Sequence, residues 1–128
     1  MTTPQKPLEG TKLFAFDPIQ TVPDLVIIDL ELGTGAEVPG GATITAHYTG
    51  ALAKTGEIFQ SSHDFGPPVT FGLHQVIAGW TQGVPGMKVG GKRRLVIPSS
   101  LAYGSRRAAA NIPPNSDLVF DIELTAIV

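Results

Sequence analysis

The residues with the most obvious capacity for chemistry are three histidines, His47, His63 and His74, and the serine pair Ser61-Ser62. A structural or catalytic zinc site needs cysteines or paired histidines at helical spacing. Here no two histidines stand four apart and the chain has no cysteine, so no metal ligand set is expected. Ser61, Ser62 and His63 are adjacent, but no Gly-x-Ser-x-Gly elbow surrounds them, and a hydrolase triad is not supported. Gly33-Thr34-Gly35 resembles a phosphate loop by composition. Val38-Pro39-Gly40-Gly41 follows it and opens no helix, so it reads as a turn. What remains is binding alone, or a reaction that needs no nucleophile, metal, cofactor or strong acid–base pair.

The elements that would position such a site are mostly strands. Leu25 to Leu32, Thr43 to Leu52, Val69 to Leu73, Lys92 to Ile97 and a last run around Leu118 to Ile127 are β-like and separated by Gly- and Pro-containing turns. In the second run Ile44, Ala46, Tyr48, Gly50 and Leu52 share a face. In the last, Leu118, Phe120, Ile122, Leu124 and Ala126 alternate with Val119, Asp121, Glu123, Thr125 and Ile127. Such alternation predicts an antiparallel sheet with one wet face. One segment has helical spacing: Ile77, Trp80 and Val84 lie on one face, closed by Pro85-Gly86. The expected architecture is α+β, a twisted antiparallel sheet of about five strands wrapped around one short helix that carries the sole tryptophan.

A length of 128 residues suits one domain, and 42% hydrophobic with 16% charged residues is a globular composition. Residues 1–23, punctuated by prolines around the apolar patch Leu13-Phe14-Ala15-Phe16, read as an extension that docks by that patch or self-associates; the main domain is expected over residues 24–128. The net charge is −2, yet Lys88, Lys92, Arg93, Arg94, Arg106 and Arg107 fall in one stretch without acids, which reads as a solvated basic face. An acidic chain with few aromatics near its basic residues argues against nucleic acid. No run approaches the length of a membrane span and no apolar leader is visible at the N-terminus, so the expectation is a cytoplasmic protein without membrane partners.

Five blocks, in order, resemble the FKBP family of peptidyl-prolyl cis-trans isomerases. They are Ala46-His47-Tyr48-Thr49-Gly50; Gly56 to Ser62, with Phe59-Gln60-Ser61-Ser62; Val76-Ile77-Ala78-Gly79-Trp80 through Gly90; Ile97-Pro98 with Leu101-Ala102-Tyr103-Gly104; and Ile112-Pro113-Pro114-Asn115 with Leu118 to Leu124. The resemblance is taken to cover residues 24–128. The resemblance implies a shallow apolar pocket for a proline ring, lined by Tyr48, Phe59, Val69, Val76, Ile77, Trp80, Tyr103, Ile112 and Phe120, with Trp80 as its floor. It implies that Tyr103, Gln60, Trp80, Phe59 and Tyr48 carry catalysis, and that the partners are Xaa-Pro segments of proteins and macrolides of the rapamycin and tacrolimus type.

That chemistry needs no covalent step. The barrier is the partial double bond of the peptide link, about 18–20 kcal/mol. At the twisted transition state resonance is lost and the carbonyl becomes less polar, so an apolar site favours it over the planar amide. Each ~1.4 kcal/mol of such preference gives about tenfold in rate.

The sequence departs from the family pattern at three places. Gln60 stands where the family has Asp, which drops a charge, lengthens the arm and adds a donor. Ser105 to Asn111 replaces a more Gly-rich stretch; it is expected to overhang the pocket, with Arg106 and Arg107 biasing selection toward acidic neighbours of proline. Phe65-Gly66-Pro67-Pro68 replaces a charged stretch and should make that pocket edge stiffer and more apolar. Gln60 also keeps open an alternative: a low-activity chaperone or proline-segment binding module on the same fold.

Overall fold

The computed structural model describes residues 8–105 and 111–128. Among these, six strands form a single antiparallel sheet: β1 (Val26–Glu31), β2 (Thr43–Leu52), β3 (Ile58–Ser61), β4 (Val69–Gly72), β5 (Lys92–Ile97) and β6 (Leu118–Ile127). Their order is β1-β5-β6-β2-β3, with β4 also on β2. β4 pairs with Thr43–Ala46 of β2 and β3 with Thr49–Ala51, so two short strands share one edge of β2 end to end. The sixth strand is β3, which lies inside the Gly56–Ser62 block and is only four residues long.

One helix, α1 (Ala78–Gly83), crosses the concave face. Two glycines make it a poor helix by propensity, at roughly 1 kcal/mol each. They are there for contact: a Cβ on Gly79 would lie 2.6 Å from Ile97 Cγ2. The helix therefore seats directly on β5, with Trp80 4% exposed and Val84 fully buried. Ile44, Leu73, Leu95, Ile97, Leu118, Ile122 and Leu124 complete the core beneath it.

The other face is not wet where the alternation predicted. Leu13 and Val22, with Leu8, Phe16 and Ile19 beside them, cover Ala51, Ala53, Ile58, Val96 and Val119. The N-terminal segment is thus strapped across the outer face, and of its apolar patch Phe14, 88% exposed, and Ala15 face away from the sheet. β2 and β6 are apolar on both faces at this end because both faces are covered. The predicted inward set on β6 also breaks at its end. A bulge opposite Thr45/Ala46 shifts the register, so that Ile127 pairs with Ile44 and packs on the core while Ala126 is exposed.

Within the basic stretch Lys88 is exposed, but the two central arginines are not solvated. Arg93 and Arg94 are 8% and 7% exposed. Arg93 Nε donates to Asp29 Oδ1 at 2.7 Å and its Nη1 to the carbonyl of Gly83 at 2.9 Å. Arg94 makes a two-pronged pair with Asp121 at 2.7 and 2.8 Å, and donates to the carbonyls of Ala15 and Phe14 at 2.8 and 2.9 Å. Its guanidinium also sits 5.6 Å from the ring centre of Phe16. The Asp121 hydrogen bond raises the Arg94 pKa above its ordinary value, so this cation is fixed and pins the strap to the sheet. Arg106 and Arg107 lie outside the described residues.

Candidate functional site

Between α1 and the concave face opens a cavity of about 530 Å³ lined by Tyr48, Phe59, Gln60, Phe71, Gln75, Val76, Ile77, Trp80, Tyr103 and Phe120. Each wall comes from a different element. Tyr48 projects from β2, Phe59 and Gln60 from β3, Phe71 from β4, Trp80 from α1 and Phe120 from β6. Gly50 leaves room for two of them: a Cβ there would lie 2.6 Å from the Phe59 ring and 2.7 Å from the Phe120 ring.

The rings meet edge to face. Trp80 lies 5.0 Å from Phe71 at 65°, 5.4 Å from Phe120 at 83° and 5.7 Å from Tyr48 at 75°. Phe59 stands against Phe120 at 5.6 Å and 86°. Such contacts add about 0.5–1.5 kcal/mol each beyond buried area and hold the walls in one geometry. The Trp80 indole N–H is buried and has no acceptor among the described residues.

The polar groups are few and placed. The Tyr48 hydroxyl donates to Gln60 Oε1 at 2.9 Å. Burial, and after it the nearby Tyr103 hydroxyl, push the Tyr48 phenol above the usual tyrosine value, so it remains a neutral donor at physiological pH. Asn111 Nδ2 donates to the Phe59 carbonyl at 2.9 Å. Tyr103 stands at the rim, 39% exposed. Among the described residues no charged side chain lines the cavity.

Gln60 is held in place by the two serines that follow it. Ser62 Oγ accepts the Tyr48 backbone N–H at 2.8 Å and lies 2.8 Å from His47 Nδ1; Ser61 Oγ lies 2.9 Å from Thr49 Oγ1. Both serines are buried, and Ser62 has no access to a substrate. His63 stacks on His47 with ring centres 4.0 Å apart, and its Nε2 meets Glu123 Oε2 at 2.6 Å. The Ser-Ser-His sequence is therefore a fastening between β3 and β2, which is why no hydrolase elbow accompanies it.

Of the residues expected to line the site, Tyr48, Phe59, Gln60, Val76, Ile77, Trp80, Tyr103 and Phe120 converge on this cavity. Val69 does not. It is 37% exposed beside Ala46, and Phe71, two residues along the same face of β4, reaches the cavity in its place. Ile112 is 6% exposed within the core cluster and lies outside the lining. Phe71 and Gln75 were not singled out from sequence; the signal for Phe71 was its aromatic ring on an inward position of a short strand. Phe65 is 69% exposed and likewise outside the lining. In the loop expected to overhang the pocket, residues 106–110 lie outside the described residues.

Comparison with known proteins bears on the same region. Residues 35–125 match the model of the FKBP-type peptidyl-prolyl cis-trans isomerase family. The chain is 47% identical over 110 residues to the peptidyl-prolyl cis-trans isomerase FPR2 of Saccharomyces cerevisiae, covering 77% of this chain and 82% of that protein. It is 49% identical over 105 residues to an FK506-binding protein of Neisseria meningitidis, covering 80% of this chain and 95% of that one. Among solved structures it resembles AtFKBP13, with a TM-score of 0.73 and 43% identity over 81% of this chain and 93% of that chain. It also resembles FkpA from Escherichia coli, with a TM-score of 0.72 and 44% identity over 80% of this chain and 47% of that one.

Proposed function

The chain belongs to the FKBP-type peptidyl-prolyl cis-trans isomerase family and is an isomerase of Xaa-Pro bonds; from that premise we propose that it works on prolines of cytoplasmic proteins during folding, through the cavity above α1. The observation that carries this reading is an aromatic cavity whose described walls bear no charge, floored by Trp80 and edged by the Tyr48–Gln60 hydrogen bond. A proline ring seats against Trp80 with Phe59, Phe71 and Phe120 around it. Water is excluded from the rotating amide, and the apolar walls favour its less polar twisted state over the planar one. Tyr103 at the rim holds a neighbouring substrate carbonyl while the bond turns. Gln60 orients the Tyr48 hydroxyl through a neutral acceptor. FK506-type macrolides occupy the same cavity, bound more weakly than with a carboxylate at this position.

The test is exchange spectroscopy by NMR on short Xaa-Pro peptides. Catalysis well above background, lost in Tyr103→Phe combined with Trp80→Ala and competed by FK506, is the expected result. A folded wild-type protein with no catalysis would overturn the reading.

A further inference from the structure

The family match begins at residue 35, yet the chain ahead of it is built into the strand that carries the site. β3 is only four residues long, and its ladder to β2 is interrupted at the critical point. Gly50 pairs with Gln60 and Ala51 with Ile58, so Phe59 is the extra residue of a bulge and has no partner on β2. A bulge re-aims a side chain, here the Phe59 ring into the cavity, but it removes that residue from the β2 ladder and leaves its carbonyl to the Asn111 side chain, whose Nδ2 donates at 2.9 Å. The opposite edge of β3 supplies further pinning. Gly10 N–H donates to the Ile58 carbonyl at 2.8 Å, and Ile58 N–H returns a bond to the Thr11 carbonyl at 2.8 Å. Leu13 N–H donates to the Gly56 carbonyl at 2.8 Å. Beyond the other end of β3, the Asp64 carboxylate accepts the backbone N–H groups of Leu8 at 2.8 Å and Glu9 at 3.1 Å. The segment is thus tied on both sides of Phe59 and Gln60, while Leu13 is buried beneath it against Ile58.

We infer that residues 8–13 act as a positioning strand for the isomerase site, closing the free edge of β3 so that the bulged Phe59 and its neighbour Gln60 keep their places opposite Tyr48. This rests on the reading of that cavity as the isomerase site. Gly10 is the weak link. Its φ of +87° is a conformation proline cannot adopt, and its N–H is one of the bonds to Ile58.

Full-length variants test the inference, with kcat/KM on an Xaa-Pro peptide measured well below the melting temperature and backbone amide exchange at Ile58, Phe59 and Gln60 followed by NMR. Gly10→Pro is expected to lower kcat/KM about tenfold and Asp64→Ala about threefold, as small misplacements of binding groups do, each with faster exchange at Ile58. Asp64→Asn, which keeps an acceptor, restores most of the loss. Phe14→Ala, whose side chain is exposed, leaves the rate unchanged. A lower melting temperature with an unchanged rate in Gly10→Pro would make the segment merely structural and overturn the inference. So would a rate loss without faster exchange at Ile58. If Gly10→Pro does not fold, the Asp64→Ala and Asp64→Asn pair decides between the same outcomes. Should the wild-type chain show no catalysis, the isomerase reading falls, and the exchange data still report whether residues 8–13 hold β3.

Discussion

The two faces of the sheet are made from the same strands and finished in opposite ways. On the concave face β2 and β6 present Tyr48 and Phe120, which meet Trp80 and Phe59 edge to face around space left unfilled. On the outer face the same strands present Ala51 and Val119, and a strap of chain covers them, locked by the Arg94–Asp121 pair. Small residues under a strap give stability. Large residues around a void give a surface that can be exchanged for a substrate. Among the described residues, a buried ion pair locks the closed face and the cavity of the open one is lined without charge.

The sharpest way to break this contrast is Phe120→Ala. It removes a ring that Trp80, Phe59 and Tyr48 all touch, and should cost about 3–5 kcal/mol of stability together with most of the isomerase rate. Chemical denaturation and peptide exchange measure the two losses. Arg94→Met comes next. It strands Asp121 and two strap carbonyls, and should cost about 3 kcal/mol. The rate per folded molecule should change less than Gly10→Pro changes it, because the Gly10 and Thr11 bonds to Ile58 and the Leu13 bond to Gly56 remain. An equal rate loss would mean the two faces are not separable.

Gln60→Asp acts on the open face alone. A carboxylate accepting the Tyr48 hydroxyl should raise turnover and FK506 affinity about three- to tenfold with little change in melting temperature. No gain in either would show that the neutral amide already suffices.

The smallest effect is in pH. Tyr48 has a raised pKa in the folded chain, so its contribution to stability is complete below the unfolded tyrosine value of 10.0 and is lost as pH rises through the higher folded value. Melting temperatures of wild type and Tyr48→Phe should run parallel to about pH 9 and converge above pH 10. Parallel curves throughout would dismiss the phenol as the titrating group.

Much of the open face was legible in the sequence because its residues stand in dense local blocks. Tyr48, Phe59-Gln60, Val76-Ile77, Trp80 and Phe120 each sit inside one of these. Val69 and Phe71 show the limit. Period 2 places both on one face of β4, and only the three-dimensional reach of each side chain distinguishes them. β3 escaped notice because four residues with a bulge carry no usable alternation. The outer face was harder to read. Arg93 and Arg94 look like solvent charges until their acids arrive, Asp29 from 64 residues before Arg93 and Asp121 from 27 residues after Arg94. The apolar patch near the N-terminus announced docking or self-association, but not which strand its backbone would meet.

β2 is the common rail of the whole site. β3 hangs on one end of an edge, β4 on the other end of that edge, and β6 along the opposite side. An insertion of one residue in the middle of β2 would therefore turn Tyr48 or its neighbours to the wrong face and slide the walls bearing Phe59, Phe71 and Phe120 out of phase together. As a result β2 admits change by substitution but not by gain or loss of residues.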